Sequence, residues 1–275
     1  MSGPSNPSDN NNDHAANDNN GLPRHGPVRA DLGKERLRPP LPKRFYKSAA
    51  FGVGENGFAV TLDGRPVKTP AKAPLLVPTR ALAEAIAAEW AAQGQHIDPA
   101  TMPLTRLANT ALDAVADNLA AVAADIVAFS GNDLLCYRAD GPAELIAQQA
   151  AAWDGILAWA EQSFGARFTV ITGILHIDQS RQTSEAIARA LSCLDAWEIA
   201  PIHVMTTLTG SAVLALAVAR EAQTEDAAWT AAHVDEDWQI SGWGADEEAT
   251  ARRAQRRSEM AAAARFLALV RTKSA

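Results

Sequence analysis

The sequence predicts an α+β protein, with a small β-rich N-terminal domain followed by a larger, mainly α-helical C-terminal domain. Three observations point there. Between residues 43 and 78 apolar residues alternate with period two, and prolines are too dense for helices. From Thr79 onward the apolar spacing changes to three and four, the period of an amphipathic helix. The later stretches are rich in Ala, the best helix former. At 275 residues and 29.1 kDa the chain has length enough for a sizeable core. The expected division is a disordered leader over 1–42, a small mixed β domain over 43–103 and a helical domain over 104–275.

Each element has its own reason. Met1 to Asn20 is dominated by Asn, Asp, Ser and Pro, and Gly21 to Pro42 turns basic, so the leader offers little to bury. Phe58, Val60 and Leu62 alternate with Ala59 and Thr61 as a half-buried strand does, and Asp63-Gly64 is a turn signal. Val67 to Thr69 can return as a strand, and Leu75 to Val77 is a further short one. Leu82, Ile86 and Trp90 form one helical stripe, with Thr79 as N-cap and Gly94 as stop. Helices are expected after Pro103, from Leu119 to Gly131 and after Pro142; Phe168 to Leu175 is ambiguous, its β-branched content favouring extended structure and Gly173 breaking it. They resume over Thr183–Trp197, Pro201–Leu208, Ser211–Arg220, Glu225–Glu236 and about Ala245–Arg271.

Composition excludes several functions. The net charge is −7, which opposes whole-protein attraction to nucleic acid or an anionic membrane. No uninterrupted apolar run approaches the ~18–20 residues of a membrane span, so no membrane insertion is expected. The first twenty residues have neither a basic n-region with an apolar h-region nor any Arg, so no secretory signal or mitochondrial presequence is expected. Cys136 and Cys193 cannot make a disulfide framework, and their apolar neighbours suggest buried, inert thiols.

No motif supplies catalysis. Gly52-Val53-Gly54-Glu55-Asn56-Gly57 matches GxGxxG, but strand periodicity follows it where a dinucleotide site needs a helix; it reads as a turn leading into a hairpin. Gly33-Lys34 is followed by Glu35, not the Ser or Thr of a P-loop. The six histidines form no HxxxH or HExxH, and His176 with Asp178 gives two ligands at most, so no metal and no cofactor is expected. Gly210-Ser211 lacks the frame of a nucleophile elbow.

The last third is more informative. Asp235, Glu236 and Asp237 stand together beside Trp238 and Gln239 at an expected helix C-terminus, where carboxylates oppose the dipole and repel one another. Such a group beside aromatics suits a recognition surface as well as a solvated turn. Trp243-Gly244 follows, and then Asp246, Glu247 and Glu248 suit the start of the last helix.

Taken in order, several segments resemble one family. They are Lys43-Arg44-Phe45-Tyr46-Lys47, Val60 through Pro70 (VTLDGRPVKTP), Ile86 through Gln93 (IAAEWAAQ), Met102 through Ala111 (MPLTRLANTA), Asp133 through Arg138 (DLLCYR), Leu208-Thr209-Gly210-Ser211, and Val234 through Gln239 (VDEDWQ) before Trp243-Gly244. Over residues 43–270 the chain resembles the F-type ATP synthase assembly chaperones that bind the alpha subunit of the catalytic head. The resemblance implies a non-enzymatic protein that holds the alpha subunit at the surface later given to the beta subunit, which then displaces it. It implies a cytoplasmic bacterial member, a monomer, whose partner is the ATP synthase alpha subunit. The candidate contact residues are those of this acidic and aromatic cluster, Glu236, Asp235, Asp237, Trp238, Gln239 and Trp243, and the resemblance places the functional acid on Glu236 or, in a competing alignment, Asp235. The alternative class is a small-molecule enzyme whose site joins distant residues such as Arg106, Asn109, His176 and Asp235.

Overall fold

The computed structural model describes residues 40–272. All but the last three residues of the expected leader lie outside them. The N-terminal layer is a small antiparallel sheet of β1 (Ala49–Gly54), β2 (Gly57–Leu62), β3 (Arg65–Pro66) and β4 (Leu76–Val77). β2 is central. It pairs β1 along one edge, from Ala49↔Leu62 to Gly54↔Gly57, while β3 and β4 share its other edge. The GxGxxG segment is therefore the β1–β2 hairpin, turning at Glu55-Asn56. Gly57 has φ +141, and a Cβ there would stand 2.5 Å from the Val77 carbonyl oxygen, so only glycine lets β4 approach.

Val60 and Leu62 point inward from β2 as their alternation predicts, onto α1 (Arg80–Ala91). Thr79 caps that helix by accepting from Leu82 N at 3.2 Å, and its hydroxyl donates to the Leu269 carbonyl at 2.8 Å, tying the sheet to the far end of the chain. Glu89 of α1 accepts from the N–H groups of Leu104 and Thr105 at 2.7 and 2.8 Å. It thereby caps α2 (Pro103–Thr110), whose own cap residue Met102 lends no side-chain bond.

The helical part continues with α3 (Leu119–Gly131), β5 (Tyr137–Arg138), α4 (Ala143–Phe164) and β6 (Ile171–Thr172), which pairs β5 in parallel. Then come α5 (Arg181–Leu191), α6 (Ala196–Thr209), α7 (Ala212–Ala219), α8 (Glu225–Ala232), α9 (Val234–Trp243) and α10 (Glu247–Arg271). One hydrophobic core runs from Val60 and Leu82 through Leu104 and Trp153 to Leu214 and Phe266. Buried residues stand on both sides of the boundary we propose near 103, Met102 and Leu104.

Three expectations change. Two helices expected over 183–197 and from Pro201 are redivided, because Asp195 accepts from Trp197 N and Glu198 N and starts α6 there, leaving Pro201 inside it. Cys136 is buried, and burial pushes its thiol up to about 12, but Cys193 is exposed at the end of α5. The helical stretch Pro103–Cys136 is long and apolar enough to cross a membrane by length and composition. It is not one rod, however: Asn118 breaks the helix at φ −127, and the exposed positions of α3 include Ala120, Ala121, Ala124, Asp125 and Ala128.

Candidate protein-binding site

A further correction to the helices decides the electrostatics of the acidic segment. The chain leaves helical geometry at His233, with φ −118 and ψ 20, so the expected helix 225–236 is two helices. Asp235, Glu236 and Asp237 thus occupy the first turn of α9 rather than a C-terminus, and the dipole favours them. His233 holds the corner. It is buried, its ring lies 3.9 Å from that of Trp229, and its Nδ1 is 2.7 Å from the Trp229 carbonyl. Burial holds its pKa below the usual imidazole value, against the pull of that hydrogen bond.

The three acids diverge. Asp235 turns inward and accepts from Gln149 Nε2 of α4 at 2.6 Å, and Gln149 in turn accepts from Ala139 N at 2.8 Å. Asp237 pairs with Arg253 Nη1 of α10 at 2.5 Å, a bond that raises the arginine's pKa. Glu236 stands between His233 and Arg253 at 3.8 and 3.9 Å, too far for a firm hydrogen bond with either. Trp238 is half-buried against the core.

α9 and α10 are consecutive helices that diverge from a short connection and are linked by the Asp237–Arg253 pair. Gly244 turns the connection at φ +88, and Asp246 caps α10 by accepting from Ala249 N at 2.8 Å. Between the helices lies a groove of about 780 Å³. Ile240, Ala245 and Ala249 supply its apolar surface, and Glu236, Gln239, Asp246 and Arg253 its polar groups. Trp243 also lines it, with 90% of its surface exposed, an unusual place for so large an apolar ring.

The structure therefore brings Glu236, Gln239 and Trp243 to one groove, and directs Asp235, Asp237 and Trp238 elsewhere. Ile240, Ala249 and Arg253 complete the groove and were not singled out from sequence; the signal was there in the spacing of Ile240 and Trp243 on one helix and Ala249 and Arg253 on the next, each pair sharing a face. The four residues of the enzyme alternative do not converge. Arg106 faces Glu259 at 3.5 Å, His176 faces Tyr137 and Asp178, Asp235 bonds Gln149, and the Oδ1 of Asn109 has no partner. Among the described residues no group of three or more His, Cys, Asp or Glu is placed to hold a metal ion.

Comparison with known proteins assigns the family. Residues 43–161 match the model described as ATP12 chaperone protein. The crystal structure of Atp12 from Paracoccus denitrificans is 41% identical and superposes with a TM-score of 0.79, over 84% of this chain and 99% of that one. The Atu1473 protein of Agrobacterium tumefaciens is 47% identical, with a TM-score of 0.80 over 85% of this chain and 88% of that one. The mitochondrial protein atp12 of Schizosaccharomyces pombe is 24% identical over 226 residues, 76% of this chain and 78% of its own length. With such identity over nearly the whole of a solved relative, the chain belongs to the ATP12 chaperone family, the ATP synthase assembly chaperones that its sequence motifs resemble.

Proposed function

We propose that this chaperone binds the alpha subunit of the F-type ATP synthase catalytic head and shields its interface until the beta subunit replaces it. In this reading the α9–α10 groove is the contact surface. Trp243 is the observation that carries it: an aromatic ring 90% exposed beside a groove of about 780 Å³. A side chain of this type anchors protein interfaces, where aromatic residues dominate the binding energy. Glu236 adds a carboxylate at the rim that is only loosely held by its neighbours. Such a group orients a cationic partner and speeds encounter more than it tightens binding, which suits a holder that must later let go.

The same reading makes the protein a monomeric, cytoplasmic, non-enzymatic partner of one subunit, with no cofactor. The test is a titration of purified alpha subunit into the full chain, followed by addition of beta subunit. One-to-one binding that beta reverses is the expected result. Binding to beta alone, or to neither subunit, would overturn it.

A further inference from the structure

A second pocket lies at the other end of the chain's sequence, between the sheet and the end of α1. Its volume is about 620 Å³. Phe45, Tyr46 and Trp90 wall it and the inward faces of Leu62 and Val67 reach it. The aromatic walls are built, not incidental. Tyr46 meets Trp90 edge-on at 5.7 Å and donates its hydroxyl to the Trp90 carbonyl at 2.7 Å. Arg44 lies over the Tyr46 ring at 4.6 Å and gives its N–H groups to main-chain carbonyls. Phe45 packs edge-on to Tyr46 yet is 75% exposed. The buried Nε1–H of Trp90 has no acceptor.

The charge around this pocket is the reverse of the whole. The protein carries −7, but residues 43–80 hold seven Lys and Arg against Glu55 and Asp63 alone. Arg65 and Lys68 stand exposed among the lining residues, and among the described residues neither forms an ion pair, whereas Arg253 and Arg271 in the helical part do. The nearby carboxylate of Asp63 is committed to the N–H of Ser48 at 2.8 Å and to the Ser48 hydroxyl at 2.9 Å.

We propose that this pocket docks an extended peptide segment bearing an aromatic or aliphatic anchor flanked by Asp or Glu. The anchor packs against the faces that Phe45, Tyr46 and Trp90 present to the pocket, and its flanking carboxylates meet Arg65 and Lys68. A polyphosphate chain is a poorer fit, because it has no apolar group to cover the wall formed by Phe45, Tyr46 and Trp90. The inference is independent of the alpha-subunit reading, since the pocket shares no residue with the α9–α10 groove.

The test uses the full chain and fluorescein-labelled decapeptide pools that share a Leu/Phe/Trp centre, one flanked by Asp and Glu and the other by Lys and Arg. By fluorescence polarisation the acidic pool should bind at least about tenfold tighter, and weaken as salt rises from ~50 to ~300 mM. Arg65→Glu with Lys68→Glu should abolish that preference, and Phe45→Ser should weaken binding about tenfold. Both variants alter exposed side chains and should melt with the parent; Trp243→Ser should bind the pool unchanged. Equal affinity for the two pools, no binding of the acidic pool at millimolar concentration, loss of binding in Trp243→Ser, or tighter binding of a ten-residue oligothymidylate would each overturn the proposal.

Discussion

Helices α7 and α9 have similar lengths and opposite means of support. Seven of the eight residues of α7 are buried, and it has no polar face at all. Only Val234 of the ten in α9 is buried; the rest of that helix is held by half-buried Trp238 and, at its first turn, by the His233 corner, the Asp235–Gln149 bond and the Asp237–Arg253 pair. Burial of α7 fixes a scaffold through dispersion and the hydrophobic effect, which no surface change disturbs. α9 leaves most of its side-chain surface, Trp243 above all, outside the core. The difference separates what holds the protein together from what it can present.

The comparison breaks first in the core. Leu214→Ala removes a fully buried side chain and should cost about 2–5 kcal/mol in denaturant unfolding. Trp153→Ala should match or exceed it, because the ring is fully buried and its Nε1–H donates to the Ala231 carbonyl at 2.7 Å. A cost below ~1 kcal/mol for Leu214→Ala would mean that α7 is not the scaffold described, and one that small for Trp153→Ala would mean the same of α4.

A smaller effect tests how α7 is anchored. Asp133 is fully buried and accepts from Val213 N at the start of α7 and from Leu135 N, with Ser211 also bonded to it. Burial outweighs those donors and pushes its pKa up to about 6. An acid raised on folding favours the folded state while protonated, so its contribution is complete below the unfolded value near 3.8 and is lost as pH rises to about 6. Relative to Asp133→Asn, the parent should lose up to about 3 kcal/mol between those pH values and nothing further above them. A parallel pair of stability curves would contradict it.

Smaller still are the effects on α9. Arg253→Ala should cost about 1 kcal/mol or less, since its ion pairs are partly exposed. Glu236→Gln removes a first-turn charge and should cost about 0.3–1 kcal/mol, not stabilise, because the acids sit at the favourable end of the helix. Hydrogen exchange sharpens the contrast: amides of α9 should exchange much faster than those of α7, which open only with global unfolding.

Much of this was legible in sequence where one residue type had one physical use. The alternation of Val60 and Leu62, the Thr79 cap and the 3.6-period stripes need no tertiary information. β1 escaped because its Ala49, Ala50, Gly52 and Gly54 are poor strand formers, and its glycines read as part of a turn. The break at His233 escaped because nothing in spacing distinguishes a helix that continues from two that meet at a buried imidazole packed against Trp229. With that break lost, the three acids fell at the wrong end of a helix. Among the candidate residues, sequence could name the segment but not the facing of each side chain: Asp235 and Glu236 are neighbours, and only the meeting of α4 with α9 turns one inward to Gln149 and leaves the other at the groove.

The central claim is that the α9–α10 groove, and not the packed helices behind it, receives the alpha subunit. Co-expression of Trp243→Ser with an aggregation-prone alpha subunit tests it most directly, scored as the fraction of alpha subunit kept soluble beside a melting curve of the variant. Trp243 is 90% exposed, so the variant should melt within a degree or two of the parent, about the effect of a neutral surface change, and still fail to protect the alpha subunit. Full protection by a normally folded Trp243→Ser would contradict the account.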